Sequence, residues 1–440
     1  MKTFQLKEKQ TNVRTEIIAG ATTFLTMSYI IFVNPAILSS AGMDKNALIA
    51  VTCIVSGLAT ILTGLFANAP IAMAPGLGLN SFFAYLVVSG EMDWQSALGV
   101  VFLSGLLFLG LTLLGLRKKI VEAIPAPIIS AIAVGIGLFI TFIGLQDMGI
   151  IVKDEFTLVK AGPITGIMLI GMFGLLVMIF LEIMKFKGAL LIGIITAAIV
   201  SIISKQTSLP EQVVSMNIDI APIAFKLDII GALKWSFFGS IFTLMFIDMF
   251  DSVGTLAACC HQAKMVDDKG NIKGLDRLLS LDAVATMIGA LLGTSTTTSY
   301  IESASGIEQG GRTGLTSIVT GLLFLMAVIF IPVVGSVPKY ATAPALIMVG
   351  LFMMREIKNI DFTNLEEGFP AFIIIVMIAL SYSISTGLAF GFVSFAVIKT
   401  VCGKIRDVKL TMWLITALSI AFLIKDRLAE IISGLTNTAV

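Results

Sequence analysis

The sequence predicts an all-α polytopic membrane protein of about fourteen transmembrane spans, laid out as a 7+7 inverted repeat with broken third and tenth spans. Three observations carry this. Of 440 residues, 57% are hydrophobic and 13% charged, with a mean hydropathy of +1.00, whereas an ordinary soluble protein carries about 25% charge. Apolar runs of roughly 18 to 25 residues, long enough to cross a bilayer, recur from Ile17 to beyond Val397. Two of the runs are interrupted by residues that a continuous helix does not tolerate.

Taken in order, the spans centre on Thr26, Ile54, Ala84, Leu106, Ile136, Gly171, Ile195, Phe246, Met287, Ala304, Phe324, Met348, Ile375 and Val393. A shorter apolar stretch, 410–424, could cross the membrane or lie along it, and both readings are open. The first run is too long for a signal peptide and lacks a small-residue cleavage site, so it reads as a retained span. With the N-terminus in the cytoplasm, the inside segments collect 20 Lys and Arg against 7 outside. Lys2, Lys9, Arg117, Lys118, Lys119, Lys187, Lys269, Lys273, Arg312 and Lys404 are among the 20, and Lys425 and Arg427 follow the last span. That bias orients the chain. The expected organisation is a cytoplasmic segment 1–15, a first repeat 16–205, a second repeat 230–401 and a C-terminal segment 402–440. Faint echoes support the repeat: A-I-A-V-G-I-G-L-F from Ala131 matches A-L-I-M-V-G-L-F from Ala345. Seven is odd, so the two halves cross in opposite directions.

Composition also excludes other classes. With 29 Lys+Arg against 28 Asp+Glu, the formal charge of +1 offers nothing to a nucleic acid. Cys53, Cys259, Cys260 and Cys402 have neither disulfide nor metal-ligand spacing and read as small apolar fillers. No metal, cofactor or enzymatic chemistry is expected.

The third span contains N-A-P-I-A-M-A-P-G-L-G-L-N-S-F-F from Asn68. Pro70 and Pro75 lack backbone donors, Gly76 and Gly78 permit unusual dihedrals, and Asn80-Ser81 suits a helix start before Phe82. The tenth span has G-T-S-T-T-T-S-Y-I-E-S-A-S-G from Gly293, whose β-branched and hydroxyl residues favour extended backbone until a helix starts near Ser299 or Tyr300. Irregular backbone at membrane depth persists only where protein or a watery cavity bonds it, so two matched breaks point to one central site. Each half-helix would aim its N–H groups at that site.

The eighth span, about 235–260, carries F-I-D-M-F-D-S-V-G-T with Asp248 and Asp251. A carboxylate at mid-bilayer costs roughly 2.5 to 3.5 kcal/mol on insertion scales, so the pair marks function. Spaced by three, both acids share a helix face and could meet one cavity, where mutual repulsion lets one of them hold a proton. Glu302 opens the tenth half-helix as a third acid. Other readings stay open: Asp251 bonding Ser252 or Thr255, Asn80 as an N-cap, and Phe82, Phe83, Tyr85, Phe246, Phe250 and Tyr300 as core rather than as stacking partners for a flat ligand.

A-P-G-L-G-L-N-S-F-F at Ala74, F-I-D-M-F-D-S-V-G-T at Phe246, the Gly293 string extended through G-I-E-Q-G-G-R-T-G, and R-T-E-I-I-A-G-A-T-T-F-L-T-M-S-Y-I-I-F-V-N-P from Arg14 together resemble the AzgA-like guanine/hypoxanthine permeases. These belong to the nucleobase:cation symporter-2 group of purine permeases. The resemblance covers essentially the whole chain. It implies a uracil-permease-like fold with core and gate subdomains in the cell membrane, importing purine bases, guanine or hypoxanthine with adenine in the same class, by proton symport with alternating access. The family's binding residues fall on Asn80, Asp248 and Glu302, with Asp251 an auxiliary acid. Gly78, Phe82, Ser299 and Tyr300 complete the expected substrate site, and Asp248, Asp251 and Glu302 the proton-coupling set. The xanthine/uric acid branch carries a Q/E-N-x-G signature in its tenth span, where this chain has Glu302-Ser303-Ala304-Ser305-Gly306. Sodium in place of the proton, and a homodimer, stay open. The alternatives are a same-fold carrier of xanthine, uracil or another solute, a passive channel, and an intramembrane aspartyl hydrolase.

Overall fold

The computed structural model describes residues 4–115, 125–210, 212–216, 218–234, 237–266, 272 and 274–424. Lys2, Arg117, Lys118, Lys119, Trp235, Lys269, Lys273, Lys425 and Arg427, which entered the sequence reading, lie outside the described residues. The first half runs through α1 (Val13–Met27), α2 (Ile30–Leu38), α3 (Lys45–Leu62), β1 (Met73–Pro75), α4 (Leu77–Val88), α5 (Trp94–Leu113) and α6 (Ala126–Asp147). A hairpin, β2 (Ile151–Asp154) and β3 (Leu158–Ala161), leads to α7 (Gly166–Ile183) and α8 (Ala189–Ile203). After α9 (Ile229–Ala232), the second half runs through α10 (Phe238–Gln262), α11 (Leu275–Leu292), β4 (Thr297–Ser299), α12 (Ser303–Glu308), α13 (Gly314–Ala327) and α14 (Ile331–Ser336). It ends with α15 (Lys339–Met354), α16 (Leu365–Ser381), α17 (Ile384–Val401) and α18 (Leu410–Leu423).

Among the described residues, nine helical stretches are long and apolar enough to cross a membrane alone. Five more spans complete the fourteen, each for a physical reason. Two are the broken spans β1–α4 and β4–α12, α8 and α16 have 15 and 17 residues, and α11 carries Asp276, Arg277 and Asp282. The 14-residue α18 is additional and packs on α17.

The helices sort into two packed groups. The core gathers α1–α5 and α10–α14, and the gate gathers α6–α8 and α15–α17. Small residues set the close approaches. A Cβ on Gly314 would lie 1.9 Å from the carbonyl oxygen of Gly64, and one on Gly321 would lie 2.6 Å from that of Gly57. In the gate, Gly137 of α6 and Gly350 of α15 face each other in the same way, each hypothetical Cβ falling within 2.8 Å of the other's carbonyl oxygen. These two helices are the fifth spans of their repeats.

Loops expected on one side of the membrane meet one another. Lys9 Nζ donates to the Asn68 and Arg312 carbonyls at 3.1 and 3.2 Å, and burial lowers the Lys9 ammonium below its usual range. Arg277 donates to Phe66 O at 3.3 Å, and Lys187 pairs with Glu308 at 2.9 Å. On the opposite face, Lys45 Nζ donates to Gly335 O and Val337 O at 2.8 and 3.1 Å, and Asp228 N–H donates to Gln95 O at 2.9 Å. Asp154 in the hairpin there is held down to about 2 by Lys160 at 2.8 Å and by bonds from Thr157 and Phe156.

Glu16, fully buried, ties the first span to the eleventh. Its carboxylate accepts from Arg312 N, Thr313 N, Thr313 Oγ1, Thr316 N and Thr316 Oγ1 at 2.6 to 3.3 Å, capping the start of α13. Cys53, Cys259 and Cys260 are buried as expected of fillers, whereas Cys402 is exposed, since it follows the last turn of α17.

Replacing Gly314 by Ala is expected to destabilise the protein by about 1–3 kcal/mol through overpacking against the Gly64 backbone. Gly110, whose added Cβ meets nothing within 4 Å, should accept Ala without loss. Thermal unfolding of both variants in detergent checks the contrast.

Candidate substrate site

The two interrupted spans pair with each other. Strands β1 and β4 are antiparallel, with Met73 opposite Ser299, Ala74 opposite Thr298 and Pro75 opposite Thr297. Gly76 N–H donates to Thr296 O and Tyr300 N–H to Ala72 O, both at 2.9 Å. Advancing β1 positions by 224 carries the first strand onto the second (76 to 300, 72 to 296), so these two bonds are one bond repeated by a two-fold. Alternation of bonded and non-bonded pairs then places 73/299 and 75/297 at non-bonded positions. Pro75, which has no N–H, therefore costs the ribbon nothing.

The outer edges are closed by one hydroxyl from each repeat's second span. Thr60 Oγ1 accepts from Met73 N–H at 2.9 Å and donates to Met73 O at 3.0 Å. Thr286 Oγ1 accepts from Thr297 N–H at 3.1 Å and donates to Thr297 O at 2.9 Å. Ribbon pairing also corrects the expected helix starts. The first half-helix begins at Leu77 rather than near Asn80, because Gly76 already has its partner in β4. The second begins at Ser303 rather than at Ser299 or Tyr300, because Tyr300 N–H is still in the ribbon. The eighth span likewise begins at Phe238, within the expected 235–260.

Strand alternation sorts the side chains. Thr298 turns toward α10 and donates to Asp251 Oδ2 at 3.0 Å. Ser299 turns the other way, toward α11, and donates to Asp282 Oδ1 at 3.1 Å; Ser252 Oγ donates to the second oxygen of Asp282 at 2.5 Å. Thr286 also lies 3.1 Å from Asp248 Oδ2. The shared cavity expected for Asp248 and Asp251 is thus corrected: Asp248 is 1% exposed behind the ribbon, while Asp251 is exposed. The helix turns about 300° over three residues, and that offset is enough to send one acid inward and the other to open space. Nor does Asp251 bond Ser252, which serves Asp282 instead.

Glu302 occupies the N-cap position of α12, partly exposed, and accepts from Tyr29 Oη at 2.6 Å. Tyr29 sits at the step between α1 and α2. Neighbouring Ile301 is 49% exposed. Below Asp251, Gly254 and Ala258 are exposed on the same face of α10, and a Cβ on Gly254 would meet nothing within 4 Å. This open stripe ends at exposed His261 and Gln262, on the face that holds the N-terminal segment.

The remaining expected residues build walls. Asn80 is fully buried and donates to Asn34 Oδ1 at 2.6 Å, while Asn34 Nδ2 donates to Thr52 and Thr294 hydroxyls at 2.7 and 3.2 Å. Phe82 is buried in the apolar core. Gly78 lets Ile136 of the gate approach, since a Cβ there would lie 2.6 Å from Ile136 Cγ2. Tyr300 is buried and donates its hydroxyl to Pro75 O at 2.6 Å, locking the ribbon. Buried Phe246 and Phe250 form a ladder with half-buried Phe242 on α10, with centroid separations of 4.4 and 5.9 Å. Sequence reasoning missed Asp282, Thr286, Asn34 and Tyr29. An aspartate inside L-L-S-L-D-A-V-A-T-M was the available signal for the first.

In a Cys402→Ser background, Gly254→Cys and Ala258→Cys should react with a membrane-impermeant maleimide from one side only, and buried Leu256→Cys should not. Comparing intact cells with inverted vesicles reads both the stripe and its side. Absence of labelling from either side would mean that the stripe faces lipid.

A model of the Permease family, Xan_ur_permease, matches residues 14–390. The Escherichia coli adenine permease AdeQ is 40% identical over 417 residues, covering 94% of this chain and 94% of that one. The Bacillus subtilis guanine/hypoxanthine permease PbuG is 40% identical over 434 residues, covering 94% and 97%. Among solved structures, the transmembrane domain of a cyanobacterial bicarbonate transporter, BicA, superposes with a TM-score of 0.66 at 15% identity, covering 86% of this chain and 97% of that one. That likeness concerns the fold, the 7+7 inverted repeat, and agrees with the two-fold ribbon. A transporter rather than an enzyme, and a multi-pass membrane protein, this chain belongs to the Permease family.

Proposed function

We propose that the chain imports purine nucleobases, guanine and hypoxanthine first and adenine within the same class, across the cell membrane by proton symport with alternating access. The names of its relatives support the purine class: they include adenine permeases and guanine/hypoxanthine permeases. The observation that carries the site is the pair of acids on the open side of the ribbon, exposed Asp251 on α10 and partly exposed Glu302 at the head of α12. A purine presents N–H donors on its pyrimidine and imidazole edges, and a carboxylate accepts each with a charge-assisted bond of about 1.5–3 kcal/mol. Asp251 and Glu302 take these edges, and either edge fits either acid. Asp248 and Asp282, enclosed behind the ribbon, form the proton-holding pair. The motif match put Asp248 on the ligand; its burial favours the proton role. The 20-to-7 basic bias supports an N-terminus, and with it an open stripe of α10, on the cytoplasmic side. The structure would then be inward-open.

A carrier of another solute on the same fold is the second reading, favoured by the superposition on a bicarbonate transporter. Acids lining the opening argue against an anionic cargo. Uptake of labelled guanine, hypoxanthine, adenine, xanthine, uracil and bicarbonate ranks them. Guanine or hypoxanthine should lead, and strongest uptake of xanthine, uracil or bicarbonate would overturn the purine assignment. Asp251→Ala and Glu302→Ala should each cut kcat/KM for uptake by about tenfold or more, as expected for loss of one charged hydrogen bond. A protonophore should collapse accumulation; accumulation that survives it but needs sodium would replace the proton.

A further inference from the structure

The two edge-closing threonines are equivalent by the two-fold in every bond except one. Among the described residues, the Thr60 hydroxyl meets only Met73 N–H and Met73 O of the ribbon. Thr286 meets Thr297 N–H and Thr297 O in the same way and also Asp248 Oδ2, at 3.1 Å. A hydroxyl has one proton and two lone pairs. At Thr60 the proton goes to the strand carbonyl and one lone pair takes the strand N–H. If Thr286 does the same, its second lone pair is the feature left to face Asp248. An ionised carboxylate has no proton to put there, so the two oxygens would meet lone pair to lone pair.

We propose that Thr286 is a positioning residue that links the proton on Asp248 to strand β4. In this conformation Asp248 is neutral and donates its O–H to Thr286 Oγ1, while Thr286 donates to Thr297 O and accepts from Thr297 N–H. The carboxyl proton, the Thr286 hydroxyl, Thr297 O and Thr297 N–H then each have a partner, while Asp248 Oδ1 is buried with none among the described residues. When Asp248 loses its proton, it draws the Thr286 hydroxyl proton to itself, and Thr297 O is left without a partner in a fully buried place. Loss of the proton therefore loosens the edge of the strand that continues into Thr298, Tyr300 and Glu302. The other titratable groups acting on Asp248 are Asp282 from α11 and Asp251 from its own helix, both acids, so neither offers a cation that would favour ionisation. The role in transport rests on the proton-coupled reading above; the hydrogen-bond assignment does not.

Infrared difference spectroscopy on the purified protein, titrated with pH in the absence of substrate, tests the assignment. Wild type should show a protonated-carboxyl C=O band at neutral pH that Asp248→Asn removes. In Thr286→Val the band should move to higher frequency, as for an acid without an acceptor. Thr286→Ser should restore the wild-type frequency. Thr60→Val removes the equivalent ribbon bonds on the other strand and should leave the band unchanged. No Asp248-dependent band at neutral pH would overturn the proposal, as would equal spectra for Thr286→Val and Thr60→Val. Whether purines are imported does not enter this measurement, so its failure and failure of the uptake assays remain separate results.

Discussion

The backbone of the two interrupted spans has to be hydrogen-bonded without water, and the rest of the structure depends on how that is done. Three residues of each span pair with the other, and a threonine hydroxyl from the preceding helix serves both backbone groups on each outer edge. A polar group left unpaired at this depth would cost several kcal/mol. The ribbon therefore holds both half-helices in a common frame. It also fixes where they begin, immediately after Gly76 and three residues after Tyr300.

From that frame the polar chemistry separates into layers. A strand presents alternate residues to opposite sides, so Thr298 meets Asp251 on the open side while Ser299 meets Asp282 on the enclosed side. On the first repeat's side the corresponding interior is neutral, built from Asn34, Asn80, Thr52 and Thr294. Two repeats with one backbone plan have thus become chemically unlike. The neutral half gives rigidity through ordinary amide and hydroxyl bonds, and the acidic half supplies groups that can change charge.

Much of the fold was legible because membrane spans are written in long apolar runs. Fourteen centres, both breaks and the extra stretch near Leu410 all correspond to elements in the structure. Helix starts were displaced because capping preferences describe ends in water: Asn80 and Ser299 look like caps, but strand pairing had already satisfied the backbone ahead of them. Asp251 and Glu302 could be found from their position in apolar spans. Asp282 was harder to see, since Asp276 and Arg277 make its helix read as an amphipathic end. Thr286 and Thr60 could not be recognised at all, because hydroxyls are cheap to bury and only the register of the ribbon distinguishes these two from the others.

The superposition on a bicarbonate transporter acquires a simple meaning from the hydroxyl-sealed ribbon. Because the main chain at the crossover is bonded by threonines of neighbouring helices, side chains on its open side can be exchanged without unsettling the scaffold. A change of cargo on such a frame then calls for new chemistry at a few projecting positions rather than for a new backbone.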